Sequence, residues 1–222
     1  FIFIKTAKTA GTSIEIALSR LCGPEDIITP VLPEDENTRR DLGYPGPRNF
    51  LAPPGDYGLK DVARLMLKGR RRRRFYNHMG ALEARQYLGP GIWDRYYTFC
   101  FERNPWDRVL SLYYWHYRRQ QRPSIGEFLD SGVPLILKQR GIDLYTIDGE
   151  IAVDRVCFYE DLDRELEAIG EKLGLASQLA LPRAKTSTRK GKRSYREEFT
   201  AAERRKVEEL FAREIQLFGY RF

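Results

Sequence analysis

Two short stretches of this chain carry residues whose types and spacing suit the grip of an anion. Near the start, Lys8-Thr9-Ala10-Gly11-Thr12-Ser13 follows an apolar run, Phe1 to Ile4, and precedes Ile14, Ala17, Leu18 and Leu21 at helical spacing. A strand that turns sharply into a helix leaves backbone N–H groups converging on one spot, where the helix dipole and a lysine both favour negative charge. Thr12-x-x-Glu15 fits a capping box and predicts the start of that helix. Lys8 precedes the loop's one glycine by three residues. The triphosphate-binding loop instead places its lysine directly after its second glycine, so this is a different loop. In the second stretch, Tyr96 to Glu102 reads as a buried strand rich in aromatics and runs into Arg103-Asn104-Pro105-Trp106-Asp107-Arg108, with Asn104 and Pro105 suited to head a helix. That puts Arg103 at the C-terminal edge of a strand, where open α/β sheets bind ligands, with a forked donor shaped for phosphate. Ser111, eight residues further on, is placed to add a hydroxyl to the same anion.

Taken together, the two segments resemble those of sulfotransferases that use 3′-phosphoadenosine 5′-phosphosulfate (PAPS), most of all the carbohydrate branch. Lys8 to Ser13 is similar to that family's 5′-phosphosulfate loop, and Arg103 to Tyr113 to its 3′-phosphate motif, with arginine and serine at the family spacing. Further echoes are His78-Met79-Gly80, Val156 to Leu162 and the ending Leu217 to Phe222, so the likeness spans nearly the whole chain. Ala7 stands where the family often has proline.

The resemblance implies one domain over residues 1–222, a three-layer α/β sandwich with a mainly parallel sheet related to the nucleotide kinases. It implies sulfuryl transfer from PAPS to a hydroxyl, on a glycan that is often itself anionic, with 3′-phosphoadenosine 5′-phosphate as product and no metal. Lys8 becomes the catalytic electrophile, Thr9, Ala10, Gly11, Thr12 and Ser13 the holders of the 5′-phosphate, and Arg103 and Ser111 those of the 3′-phosphate. A late basic loop closes over the cofactor in similar enzymes, which points to Arg189 and Lys190. Of the chain's two histidines, His78 occupies the place where similar polysaccharide sulfotransferases carry a histidine acting as base. His116, among Tyr113, Trp115 and Tyr117, reads as a packed or surface residue. Some relatives use a glutamate as base instead.

Around these residues the sequence predicts strand, loop and helix to about Leu21, then an irregular Pro-rich segment over 24–58 that reads as a lid or a surface wrap. Helical patterns follow over Leu59 to Leu67 and Leu82 to Tyr87, flanking an arginine-rich loop over 69–75. Helices are expected over Val109 to Tyr117, Ile125 to Leu129 and Leu162 to Leu173, a strand over Ile151 to Phe158, and one terminal helix over Thr200 to Phe218, begun at a Thr-x-x-Glu box.

With 222 residues and 42% hydrophobic content the chain can bury one core. The net charge of +7 implies an anionic partner. The run Arg70 to Arg74 reads as a solvated loop or, functionally, as a contact for an acidic polysaccharide, a nucleic acid or a membrane surface, with loop or glycan contact ahead of nucleic acid because a basic run alone is a weak nucleic-acid signal. Cys22, Cys100 and Cys157 lack metal-ligand spacing and read as buried thiols of a reducing compartment, hence the cytoplasm. An anchor preceding Phe1 would point to the Golgi lumen. No apolar stretch is long enough to span a membrane. Two rival readings remain open: a small phosphotransferase with a divergent loop, which lacks the expected magnesium-binding carboxylate, and a basic module that binds nucleotides or polyanions without chemistry.

Overall fold

A computed structural model describes residues 1–175 and 194–222. Three parallel strands form the central sheet in the order β1 (Ile2–Ile4), β2 (Thr98–Glu102) and β5 (Arg155–Phe158), with Phe3 beside Phe99 and Phe101 beside Cys157. Between β2 and β5 lies a small hairpin, β3 (Thr146–Ile147) and β4 (Glu150–Ile151), turning through Asp148 and Gly149, both at positive φ. That Asp-Gly pair is the tight-turn chemistry a two-residue hairpin needs.

Helix α1 (Gly11–Ser19) leaves β1 directly; α2 (Pro33–Asp41), α3 (Leu59–Lys68), α4 (Ala81–Leu88) and α5 (Pro90–Trp93) precede β2. Helices α6 (Pro105–His116), α7 (Ile125–Asp130), α8 (Ile136–Gln139) and α9 (Ile142–Tyr145) follow β2; α10 (Leu162–Lys172), α11 (Ala201–Leu210) and α12 (Ala212–Phe218) follow β5.

The central strand β2 is buried at every position, and its alternation assigns the layers. Cys100 faces a cluster with Ile4, Ala81, Ala84, Ile142 and Tyr145, so α4 and α9 cover one side. Phe99 and Phe101 face Ile14, Leu18, Leu166 and Ile169, so α1 and α10 cover the other. A third cluster packs α6 against α7, α8 and α11 through Trp106, Leu110, Phe128, Leu137, Val207 and Phe211. Each such residue stabilises the fold by about 1.5 to 3 kcal/mol through burial. The sheet is parallel with helices on both sides, as expected, and among the described residues it is small.

Several local expectations are corrected. The segment 24–58 is not irregular throughout, because it contains α2, with Pro33 in its first turn, three acidic residues beside it and two arginines at its end, all matched to the helix dipole. The predicted strand over Ile151 to Phe158 is split: β4 ends at Ile151, and Asp154 turns back to accept bonds from Thr98 N and Oγ1 at 2.7 and 2.8 Å. The terminal helix breaks at Phe211, whose φ of −119° and ψ of 28° leave the helical region as its ring enters the core. All three cysteines are free thiols, Cys100 and Cys157 fully buried. Among the described residues no helix is long and apolar enough to cross a membrane.

Candidate active site

The loop after β1 is held from below by side chains. The Thr6 hydroxyl donates to the Phe101 carbonyl on β2, and the Thr9 hydroxyl lies 2.9 Å from Thr6 Oγ1 and 3.3 Å from the Thr6 carbonyl. Thr9 is fully buried, so its hydroxyl serves the loop and only its N–H is left for a ligand. Lys8 and Ala10 both adopt left-handed φ, 65° and 59°. Such a conformation costs an L-residue about 1 to 2 kcal/mol, a strain that the surrounding contacts must offset.

Ala10 is the N-cap of α1 and offers no side-chain cap. The first helical bond runs from Ile14 N to Ala10 O, which leaves the N–H groups of Gly11, Thr12 and Ser13 without an acceptor inside the helix. The predicted capping box at Thr12 therefore does not form. The helix starts two residues earlier, with Ala10 as N-cap, and Glu15 is drawn away to accept from Lys5 Nζ at 2.7 Å, Thr29 Oγ1 at 2.8 Å and Arg39 Nη2 at 3.4 Å. Glycine is required at Gly11, since a Cβ there would lie 2.8 Å from Lys5 Cγ and 3.2 Å from the Thr6 carbonyl.

The second motif reaches into the first. Arg103 donates through Nε and Nη2 to Asp107 Oδ2 at 2.9 and 2.6 Å, and through Nη1 to the Lys8 carbonyl at 3.0 Å. Its guanidinium stacks 4.0 Å above the Tyr159 ring. Three of the five guanidinium N–H groups are thus engaged, and two have no partner among the described residues. Asn104 caps α6 as predicted, accepting from Trp106 N and Asp107 N at 3.2 and 3.4 Å. Lys8 Nζ lies 5.3 Å from the centre of the Trp115 ring. Ser111 is one turn before Trp115 on the same helix face, so the lysine is brought to the face of α6 that carries the predicted serine.

Beneath the loop sits a buried network that the sequence reading missed. Glu102 accepts from Arg108 Nη1 at 2.5 Å and from the Tyr145 hydroxyl at 2.7 Å. Arg108 also donates from Nε to the Ala7 carbonyl at 2.9 Å and from Nη2 to the Arg140 carbonyl at 3.1 Å. Glu102 and Arg108 are each only 1% exposed, so the pair is dry and fixes the entry to the loop from inside. Burial, first of all, and the Glu102 charge push the Tyr145 hydroxyl far up, so it stays a neutral donor. Arg108 lies within the second motif, which is the one trace of this network in the sequence.

His78 is also held in a left-handed conformation, at φ 61°. Its Nδ1 is 2.9 Å from the Lys5 carbonyl. A carbonyl only accepts, so Nδ1 carries the proton and Nε2 keeps its lone pair. Burial is the largest influence on this ring and pushes its pKa down to about 4, with the charges of Lys5 and Arg140 adding to the fall and the Lys5 carbonyl opposing it. His78 opens onto a cleft of about 570 Å3 along the edge of β1 that pairs with no strand among the described residues, lined also by Ile2, Lys5, Glu15, Phe75 and Ile92. The neighbouring Asn77 has a buried Oδ1 without a partner among the described residues, a polar group the sequence reading did not single out. His116 is exposed at the end of α6 with its ring edge against Tyr117. Arg189 and Lys190 lie outside the described residues.

The loop and the fork bring together an uncapped helix start, a lysine and an arginine, groups suited to hold a phosphate ester, whereas the unprotonated imidazole of His78 opens onto a cleft whose lining includes none of Lys8, Gly11 or Arg103. No model of a known protein family matches the chain. It is 33% identical over 106 residues to an uncharacterized protein of Archaeoglobus fulgidus, a match that takes in 46% of this chain and 87% of the archaeal one. Among solved structures it is similar to the sulfotransferase from Alicyclobacillus acidocaldarius, over 99% of this chain and 98% of that one, at 20% identity and a TM-score of 0.39.

Proposed function

We propose that this chain, which belongs to one family with the Archaeoglobus fulgidus protein, is a sulfotransferase that moves the sulfuryl group of PAPS to a hydroxyl, on a sugar by the resemblance of its motifs. The single observation that carries this reading is the bond from Arg103 to the Lys8 carbonyl, which holds together the two segments, 95 residues apart, that the sequence marks for an anion.

PAPS, when bound, supplies the sulfuryl group and a phosphate leaving group. In this reading the N–H groups of Thr9 to Ser13, with the Thr12 and Ser13 hydroxyls, hold the 5′-phosphate, and the uncapped start of α1 supplies the favourable dipole. Lys8 neutralises charge that develops on the departing phosphate oxygen, an electrostatic task that matters most where water is excluded. Arg103 and Ser111 hold the 3′-phosphate, the arginine through the two N–H groups it has to spare. His78 accepts the acceptor's proton at Nε2, since Nδ1 is committed to the Lys5 carbonyl. An anionic ligand beside the ring favours imidazolium and raises its basicity, so a base that is weak in the empty site is strengthened by the ligand it serves.

The deciding experiment is calorimetric titration with 3′-phosphoadenosine 5′-phosphate, using adenosine monophosphate and ATP as controls. Binding that weakens about tenfold to a hundredfold without the 3′-phosphate, the loss expected for charge-assisted hydrogen bonds, and that loses this preference in Arg103→Ala, supports the assignment. A preference for ATP, or equal losses for both nucleotides in Arg103→Ala, removes it. In the same enzyme Lys8→Ala should retain fold and lose turnover; normal turnover would take Lys8 out of the chemistry.

A further inference from the structure

We propose that α3 and the arginine run beside it form a docking surface for an anionic lipid bilayer, lying on the membrane without crossing it. Helix α3 has no buried residue. Its apolar residues Leu59, Val62, Leu65 and Met66 fall along one stripe at helical spacing, and Leu67 flanks it. Leu59 is 91%, Met66 82% and Leu67 83% exposed. The opposite face carries Lys60, Arg64 and Lys68, one per turn. A ten-residue helix that shows its whole apolar stripe to water, with cations on the other side, has the pattern of an interfacial helix and not of one that packs on a core.

The arginine run supplies the complementary charge, and the fold sorts its members. Leu51 pairs with Arg73 in a short antiparallel bridge that fixes the run against the preceding segment. Arg72 is held by Asp61 and the Asp56 carbonyl at 3.3 and 2.7 Å, and Arg74 donates to the Tyr87 carbonyl at 3.0 Å. Arg70, Arg71 and Arg73 turn outward, exposed and without a partner among the described residues. With Arg64, Lys68 and the engaged Arg72 they line a basic concavity of about 1090 Å3. Asp61, the one acid on α3, is occupied by Arg72 and by the Gly58 N–H at 3.2 Å, so it does not cancel the outer charges.

Charge and apolar exposure together choose the partner. A glycan or a nucleic acid would use the arginines and leave Leu59, Met66 and Leu67 in water, whereas a bilayer with anionic headgroups uses both. Tyr76 lines this concavity and the cleft of His78 alike, so the surface that meets lipid adjoins the candidate catalytic cleft. The proposal does not depend on the catalytic reading.

The test is co-sedimentation of the whole chain with phosphatidylcholine vesicles, with and without phosphatidylserine, at low and high salt. Two variants accompany it: the double substitution Leu59→Glu/Met66→Glu and the triple substitution Arg70→Gln/Arg71→Gln/Arg73→Gln. All five residues are exposed, and unchanged circular dichroism and melting would verify the fold. Binding should require phosphatidylserine and weaken with salt. It should fall about fivefold for each arginine removed, hence on the order of a hundredfold for the triple variant. It should also fall in the double variant. Equal binding to neutral vesicles, no binding at all, or loss in the arginine variant with none in the leucine–methionine variant would overturn the proposal, the last by reducing the patch to a plain polyanion site. Self-association without vesicles that disappears in Leu59→Glu/Met66→Glu would overturn it too, by assigning the apolar stripe to a second copy of the chain.

Discussion

Replacing His78 by asparagine should make the protein less sensitive to acid. Asparagine tolerates the left-handed backbone at this position and can donate an amide N–H to the Lys5 carbonyl, so the bond is kept and the titration removed. In the folded chain the imidazole pKa falls from 6.5 to about 4, chiefly by burial. The unfolded chain therefore binds more protons between those limits, and the wild type is fully stable, as far as this group is concerned, above pH 6.5 and loses stability as pH falls toward 4. At about 1.36 kcal/mol per pKa unit the whole loss is about 3 kcal/mol, most of it complete by about pH 4.5. The assay is urea unfolding of both proteins at pH 7 and pH 4.5. The carboxyls of Glu160 and Glu214, which burial pushes up and whose stabilisation is lost as pH rises, act alike in both proteins and cancel in the difference. The expected result is a change of about 2 to 3 kcal/mol in favour of His78→Asn on going to pH 4.5. A change below about 0.5 kcal/mol, or an NMR titration of His78 near its ordinary value, would refute the argument that the ring is held neutral.

Two further expectations concern the frame around the site. Arg108→Met leaves Glu102 as an unpaired buried charge and should cost about 3 to 5 kcal/mol in urea unfolding, while adding Glu102→Gln should recover much of it; a single-variant cost under about 1 kcal/mol would mean that water reaches the pair. Asn104→Ala removes the cap of α6 together with bonds to the Tyr195 hydroxyl and the Arg221 carbonyl, and should lower Tm by about 2 to 4 °C per kcal/mol lost, for a loss of at least about 1 kcal/mol. An unchanged melting curve would show that the helix does not need that cap.

The features legible in the sequence were those encoded locally. Asn104-Pro105 caps α6 because cap and turn lie within three residues, and Gly11 marks a close backbone approach that one residue type can satisfy. What escaped depends on distant partners. Glu15 fits a capping box by spacing, yet Lys5, Thr29 and Arg39 compete for it, and Arg39 lies on a helix invisible to hydrophobic periodicity because it has no apolar residue to show. The Glu102, Arg108 and Tyr145 network likewise joins β2, α6 and α9, and no spacing rule spans that separation. The break at Phe211 has the same origin, since a core that wants the ring outweighs a helix that would continue.

In the proposed reading, the bond from Arg103 to the Lys8 carbonyl also makes the two ends of the nucleotide energetically interdependent. An anion that repositions the guanidinium changes how firmly the loop carbonyl is held, and hence how ready the loop is for its own anion. Thermodynamic reciprocity then requires the same factor in the other direction. Fragments that carry either phosphate alone should therefore bind with a shared coupling constant that the intact nucleotide expresses in one step, and deleting the fork of Arg103 should uncouple them.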